Sequence, residues 1–551
     1  MRRGNGQRLY DYLLRSEHPD DAPAFTFVRS GGAAVTYTRE ALRAAVAELS
    51  EQLNVVAGDV GRGRVTAVLS TSQEQQVLWY LGCLATGLTP ALLTPFNRKL
   101  NADSFASSAR SVMQKVRPAV VIVGSDGGLE QFVEGSDDYC PAVVDAGTGG
   151  VRRQRSGEAR TLSSDPAFVQ FSSGTTGVKK AVCIGSEAAI WQLDAYARAL
   201  RFGAVHGNDA DVVVSWLPLY HDMGFVTALH MPLAFGVHSV MLSPTEWVAD
   251  PASYLRAVSD HAGTVGWHPN FAFAFMAKRI KDDDLADVRL ESIRHLVNCS
   301  EPVTHKSQEV FVRRFAEHGL RPDVMTGCYA MAETTFAITH GIDSHSSGLD
   351  EVGPSGGGPG MRRPGVSVGK ALEGVRVELR SVDGKPVEDG VIAHVWVQSP
   401  SLASGYLDDE ETKRAFSGGW YDTGDLGYAR DGELYICGRS KDLIIVAGHN
   451  VFPEDIESIV GETHGVKDGR VVAFAQFDER LQTSRVVVLA ESDTGASVNF
   501  TAALKRLSEE LQVDGARIEV VPPGTVRKSS SGKPARAETA DAWSALRGQP
   551  A

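Results

Sequence analysis

The chain has 551 residues and reads as an α/β protein. Three observations predict this. Short apolar runs at 65–69, 119–123, 212–217 and 239–242 are bounded by polar, Gly or Pro residues and alternate with helical periodicity, the pattern of buried parallel strands between helices. After about residue 365 the period changes to two, as in Val375-Arg376-Val377-Glu378-Leu379, which predicts antiparallel sheet with one wet face. The stretch from 441 to 551 mixes strand and helix patterns and predicts a small α+β unit.

Each element follows from local chemistry. Thr38 is a side-chain cap for a helix on which Leu42, Ala45, Val46, Leu49 and Leu53 recur at helical spacing. The apolar stretch 81–93 contains Gly and Pro and falls short of the ~20 residues of a membrane span, so it predicts buried core and no membrane span. Asp383-Gly384 is a turn signal, and Val395-Trp396-Val397 and Leu434-Tyr435-Ile436 continue the antiparallel series. The Gly/Ser/Pro-rich stretch 346–360 predicts a loop. Strands near 471–474, 485–489 and 517–521 and a helix near 500–511 complete the chain.

Composition narrows the function classes. With 43% hydrophobic and 22% charged residues the chain is of ordinary globular type, which excludes long-range disorder and a fibrous class. A net charge of −13 argues against non-specific binding to nucleic acid or anionic membrane, while leaving room for a local basic pocket. Six cysteines, at 83, 140, 183, 299, 328 and 437, form no CxxC pair, so no zinc site is expected and a reducing cytoplasm is the expected compartment. Met1-Arg2-Arg3 runs into polar residues rather than an apolar core, so no signal peptide is expected.

The densest chemical signal is Phe171-Ser172-Ser173-Gly174-Thr175-Thr176-Gly177-Val178-Lys179-Lys180, which follows a strand-like run. Glycines let backbone N–H groups approach a polyphosphate, hydroxyls donate to it and lysine neutralises it. The spacing is not that of a Walker A loop, and the segment alone is equally compatible with a Ser/Gly turn carrying surface lysines.

Further motifs in order settle that choice. The run 171–180 resembles the phosphate loop of the adenylate-forming superfamily, which includes acyl-CoA synthetases, nonribosomal-peptide adenylation domains and fatty acyl-AMP ligases. The run 216–224 (Trp-Leu-Pro-Leu-Tyr-His-Asp-Met-Gly) is similar to a family segment at the acyl site. Asn298-Cys299-Ser300-Glu301-Pro302 resembles the adenine segment, and Tyr329-Ala330-Met331-Ala332-Glu333-Thr334 the adenine and magnesium segment. Tyr421-Asp422-Thr423-Gly424-Asp425 and Gly438-Arg439-Ser440-Lys441-Asp442 resemble the ribose and hinge motifs, and Ser530-Ser531-Gly532-Lys533 the catalytic-lysine loop. The runs 219–224 and 441–457 are most similar to the fatty acyl-AMP ligase branch.

The resemblance implies an N-terminal domain over 1–440, with layered, partly parallel sheets and a β-rich part from about 365, and a small mobile α+β C-terminal lid over 441–551 hinged at Lys441. It implies ATP-dependent activation of a carboxylic acid to acyl-AMP with Mg²⁺. The acyl group then passes to the phosphopantetheine of a carrier protein, in bacterial lipid or secondary metabolism, or to CoA. It assigns Ser173, Gly174, Thr175, Thr176, Gly177 and Lys180 to the phosphates, and Ser300, Glu301, Pro302 and Tyr329 to the adenine side. Asp425 and Arg439 fall to the ribose, Glu333 and Thr176 to the metal, and Lys533 to catalysis. His221, Trp267, Gly327 and Met331 fall to the acyl site. His221 is equally readable as a structural histidine, and Trp267 as plain core.

Departures from the family pattern are Lys179 for proline, Ala181 for glycine, Ala332 for threonine and His394 near the place of a glutamate. The metal carboxylate, the ribose aspartate and the two lysines are all present, which favours an active enzyme over a non-catalytic nucleotide-binding protein of the same fold. A dinucleotide-binding dehydrogenase is disfavoured, because no G-x-G-x-x-G follows the first strand. Lys533→Ala is expected to lower acid-dependent pyrophosphate exchange by roughly two to three orders of magnitude while the melting curve is retained. Unchanged exchange would contradict the role of Lys533.

Overall fold

The computed structural model describes residues 4–547 apart from 16, 30–32, 62, 96–101, 125–138, 154–155, 161, 163–164, 173–179, 204–210, 302, 342–347, 355–360, 447–448, 479–482, 493–497 and 529–533. Two large sheets form the framework. The first has nine strands in the order Ala34–Thr38, Pro23–Val28, His238–Leu242, Val212–Ser215, Val265–His268, His295–Cys299, Met325–Ala330, Ala337–Gly341 and Lys370–Ala371. Its interior pairs are parallel and its outer pairs antiparallel. The second has eight strands, with Phe168–Phe171, Thr89–Leu92, Val65–Leu69, Val120–Val123 and Ala142–Asp145 parallel at its centre. Burial on both faces explains why these strands read as unbroken apolar runs.

The helix Arg39–Val60 starts where Thr38 predicts, with the Ala41 N–H donating to Thr38 Oγ1 at 3.1 Å. Leu42, Val46 and Leu53 are buried on it. The stretch 81–93 resolves into the end of the helix Gln73–Thr86 and the strand Thr89–Leu92, both buried, with Gly87 at φ 76 closing the helix. Tyr80 of that helix packs with Phe168, Phe225 and His230, and its hydroxyl meets His230 Nε2 at 2.7 Å. This cluster joins the second sheet to the segment that follows His221.

Between Arg376 and Arg439 the successive strands are antiparallel, as their period predicts, although Val391–Gln398 also pairs in parallel with Gly348–Pro354. Arg376–Arg380, Val391–Gln398, Trp420–Arg430 and Glu433–Arg439 pair in series. The stretch 346–360 corrects one expectation. Gly348–Pro354 is a strand paired with Met361–Gly365, so part of the expected loop is a hairpin. Backbone pairing needs no particular side chain, so a composition rich in Gly, Ser and Pro concealed it. Beyond 441, the strands Val466–Asp478, Thr483–Ser492 and Arg517–Val521 form a separate three-stranded sheet. The helices Pro453–Gly461 and Thr501–Leu511 share with it an apolar cluster drawn from residues 444–513. Among the described residues no helix is long and apolar enough to cross a membrane.

One buried ion pair fixes the start of a central strand of the first sheet. Asp211, immediately before the strand Val212–Ser215, has a side chain only 1% exposed. It accepts from Arg294 Nε and Nη2, both at 2.7 Å, from Thr264 Oγ1 at 2.9 Å and from the Gly203 N–H at 2.8 Å. Arg294 also donates to the carbonyls of Leu200 and Arg201, capping the C-terminus of the helix Ser186–Leu200. Asp211→Ala leaves that guanidinium without its carboxylate and is expected to cost about 3–5 kcal/mol, read as a lower urea midpoint. A loss below about 1 kcal/mol would contradict the assignment, since that is the range of an exposed pair.

Candidate active site

The hairpin Met325–Ala330 and Ala337–Gly341 projects from the edge of the nine-stranded sheet, and Glu333 sits in the short turn Ala332–Thr334 at its tip. Glu333 is buried, and its carboxylate accepts from the Tyr406 hydroxyl at 3.0 Å. Burial pushes its pKa up; Tyr406 and the more distant Arg439 pull it down, and Asp222 raises it further. Tyr406 belongs to the short edge strand Gly405–Tyr406 of the other large sheet. The next residue but one, Thr335, holds φ 64 and is tied by Oγ1 to the Ser401 carbonyl at 2.8 Å. Positive φ at a β-branched residue is strained, and such strain concentrates at functional positions.

Tyr329, on the same hairpin, donates its hydroxyl to Asp425 at 2.6 Å. Asp425 and Arg439 are cross-strand partners on Trp420–Arg430 and Glu433–Arg439, with Arg439 Nε 3.4 Å from the carboxylate. The Lys180 carbonyl accepts the Ser172 N–H at 3.0 Å, and the Lys180 ammonium lies 4.6 Å from the centre of the Tyr406 ring. Lys441 lies in the same field. Burial lowers its pKa most, then Arg439, with Lys180 adding to the fall and Asp442 and Asp425 opposing it. Three cations and two largely buried carboxylates therefore meet at the junction of three sheets. Such a place can take up a polyanion together with a hard cation.

The other expected residues fall around this junction. Met223, at the end of the 216–224 run, lies 3.8 Å from Ser300 Oγ through its sulfur, so the expected acyl and adenine segments are adjacent. Ser300 holds φ 71. Gly224 is required sterically, since a Cβ there would lie 2.5 Å from the Pro218 carbonyl oxygen. His221 precedes the short helix Asp222–Gly224, its half-buried ring 4.9 Å from Tyr220. Glu301 accepts the Phe271 N–H at 2.9 Å, which fixes it at the start of the helix Asn270–Arg279.

Met331 is half-buried, and its N–H donates to the Phe336 carbonyl at 3.0 Å. Gly327 faces the Ser367–Val368 backbone, where a Cβ would come within 2.5 Å of the Ser367 oxygen, so packing alone accounts for it. Trp267 is fully buried, and its indole N–H donates to Tyr196 Oη at 2.9 Å. Ser173, Gly174, Thr175, Thr176, Gly177, Pro302 and Lys533 lie outside the described residues.

Tyr406 was missed by sequence reasoning. Tyr406 is one aromatic in a two-residue strand, and only its tertiary contact with Glu333 marks it. Among the described residues no three His, Cys, Asp or Glu side chains form a metal cluster. A single buried carboxylate suits Mg²⁺, which uses one or two carboxylates with phosphate oxygens and water, so Glu333 fits such an ion.

The raised pKa of Glu333 has a consequence for stability. A carboxyl with a raised folded pKa favours folding below its ordinary value of 4.5, and that contribution is lost as pH rises through the folded pKa. Glu333→Gln keeps the shape without the charge. It is expected to melt higher than the parent at pH 8, with a smaller gap at pH 4.5, while acid-dependent exchange falls about 100-fold or more. A lower melting temperature at pH 8 would contradict the burial argument.

Comparison with known proteins agrees with this geometry. Residues 15–407 match the family model described as AMP-binding enzyme. The long-chain-fatty-acid–AMP ligase FadD26 of Mycobacterium marinum is 28% identical over 580 residues, spanning 95% of this chain and 95% of that protein. A solved structure from work on fatty acyl-adenylate ligases of E. coli and L. pneumophila superposes with a TM-score of 0.83 at 24% identity, covering 99% of this chain and 98% of that one. The L. pneumophila fatty acyl-adenylate ligase in complex with acyl adenylate and pyrophosphate superposes at 0.70 with 25% identity, covering 99% and 97%. By the match over most of its length, and with the acidic and basic groups of the site gathered as described, this chain belongs to the AMP-binding enzyme family.

Proposed function

We propose that this protein joins a carboxylic acid to ATP, forming acyl-AMP and pyrophosphate, and then passes the acyl group to the phosphopantetheine thiol of a carrier protein. The observation that carries the reading is the convergence of Lys180, Arg439 and Lys441 on Glu333 and Asp425. A carboxylate is a poor acyl donor, because its leaving group would be oxide. In the first step a carboxylate oxygen bonds to the α-phosphorus and the bond from that phosphorus to the pyrophosphate oxygen breaks. In the second, the thiol sulfur attacks the acyl carbon, AMP leaves and the thiol proton is released. Both reactants of the first step are anions, so the site has to supply positive charge and alignment.

The roles follow from chemistry and position. Thr175, Thr176 and the neighbouring backbone grip the β- and γ-phosphates, and Lys180 adds charge. Glu333, with Thr176, holds Mg²⁺, which when bound neutralises phosphate charge. Tyr329 lies against the adenine. Asp425 accepts from the ribose hydroxyls and Arg439 steadies it. Lys533 stabilises the charge that develops as the α-phosphorus changes partners. Residues 441–551 form a lid that turns about Lys441. The M. marinum relative, whose name specifies a long-chain-fatty-acid–AMP ligase, supports acyl-AMP as the product of the first step. Six free thiols, five of them buried, agree with a reducing cytoplasm.

Two experiments test the reading. The protein is incubated with ATP, Mg²⁺, an acid mixture, CoA and a phosphopantetheinylated carrier protein, and the products are weighed by mass spectrometry. Acylated carrier is expected; acyl-CoA instead would contradict the acceptor, and absence of pyrophosphate release would contradict the activity. In the second, Trp267→Ala is assayed against acids of increasing size. Longer or bulkier acids are expected to gain by about 1–3 kcal/mol relative to those the parent prefers. An unchanged ranking with about 3–5 kcal/mol lost in stability would make Trp267 plain core.

A further inference from the structure

We infer that Lys528 is a positioning residue for acid activation: its ammonium, seated over the Phe271 ring and beside the Glu301 carboxylate, sets how the C-terminal unit docks on the large unit. The inference rests on the activation reading above. Lys528 and Pro534 form an antiparallel backbone bridge, and Lys533 directly precedes Pro534 in the chain. The stem of that bridge is anchored. The Ala535 N–H donates to the Arg527 carbonyl at 2.9 Å, and the Arg527 N–H to Thr539 Oγ1 at 3.0 Å. The neighbouring Arg536 is gripped by Glu457 at 2.7 Å, Glu454 at 2.9 Å and Asp442 at 3.2 Å. The stem therefore moves with the C-terminal unit.

Lys528 Nζ lies 5.9 Å from the Phe271 ring centre, within reach of a cation–π attraction. Phe271 and Glu301 are already joined by the Phe271 N–H bond to Glu301 Oε2 at 2.9 Å, so the seat exists on the large unit as a fixed feature. Burial lowers the Lys528 pKa and Arg470 adds to this, whereas Glu301 and Glu491 hold the charge in place. The units also meet in exposed pairs, Lys278–Asp468 at 2.5 Å and Lys306–Glu462 at 3.0 Å, in which solvent screens both partners, and near the hinge in an apolar cluster of Phe452 with Leu426, Tyr428, Tyr435 and Cys437. Away from the hinge, Lys528 differs from those exposed pairs in being partly desolvated, and desolvation strengthens a cation over a ring. It touches none of the reacting groups assigned above, so its effect has to run through the position of the unit that carries Lys533.

The test uses the full chain carrying Lys528→Ala, Lys528→Arg or Phe271→Leu. Measured are kcat and KM for ATP in acid-dependent pyrophosphate exchange, and acyl transfer from supplied acyl-AMP to whichever thiol the parent accepts. Lys528→Ala and Phe271→Leu are expected to lower the exchange kcat about 10- to 100-fold with little change in KM, the cost of misplacing a reacting group by a fraction of its span. The transfer step stays near the parental rate, and Lys528→Arg regains most of the exchange. Parental exchange in Lys528→Ala, or an equal fall in exchange and transfer, would overturn the inference and leave the activation reading intact. A parent that shows no acid-dependent exchange would overturn both.

Discussion

Two tyrosine–carboxylate hydrogen bonds hold the site together. Tyr329 of the nine-stranded sheet donates to Asp425 of the β-rich unit at 2.6 Å, and Tyr406 of the eight-stranded sheet donates to Glu333 at the hairpin tip at 3.0 Å. The three sheets share one large apolar core, in which Val213, Phe168 and Val395 belong to the same cluster, and at the site each of these bonds adds a polar link between two of them. A phenol is suited to this task. It packs as an aromatic body while its hydroxyl meets a buried acceptor, and it neutralises no charge, so both carboxylates stay available to a cation or a ribose.

The acids set the electrostatic problem that the rest of the site answers. A buried carboxylate is costly unless it is paired. Arg439 stands beside Asp425, and Lys180 lies over the ring that contacts Glu333. Overall the chain carries −13, so this basic junction is a local exception to the sign of the whole. Strain accumulates in the same segments. Thr335 and Ser300 hold φ of 64 and 71, and the three-residue helix Asp222–Gly224 runs into the π-helical turn Phe225–His230. The local cost is carried by the extensive apolar packing on either side, where Tyr80, Phe168, Phe225 and His230 interlock.

How much of this the sequence disclosed varies with the physics of each feature. The strands Val65–Leu69 and Val212–Ser215 were legible because burial on both faces demands continuous apolar residues. Thr38 was legible as a cap because its chemistry is local. Gly327 was legible as a position but not in its cause, which is the close approach of Ser367 from a distant segment. Tyr406 and the Lys528 seat were illegible because their partners, Glu333 and Phe271, lie far away in the chain. The hairpin Gly348–Pro354 with Met361–Gly365 was concealed by turn-like composition. Glu301 was read as part of a nucleotide segment, and its bond to Phe271 adds a second task that no spacing rule indicates.

Transfer of the acid's own oxygen is the most direct expression of the central claim, that the junction of Glu333, Asp425, Arg439 and Lys180 joins a carboxylate to the α-phosphorus of ATP. A carboxylic acid labelled with heavy oxygen in its carboxylate is turned over with ATP and a thiol acceptor, and the products are examined by mass spectrometry. Attack by the carboxylate predicts that AMP carries the label and that pyrophosphate does not. Unlabelled AMP, or label in pyrophosphate or inorganic phosphate, would contradict the account.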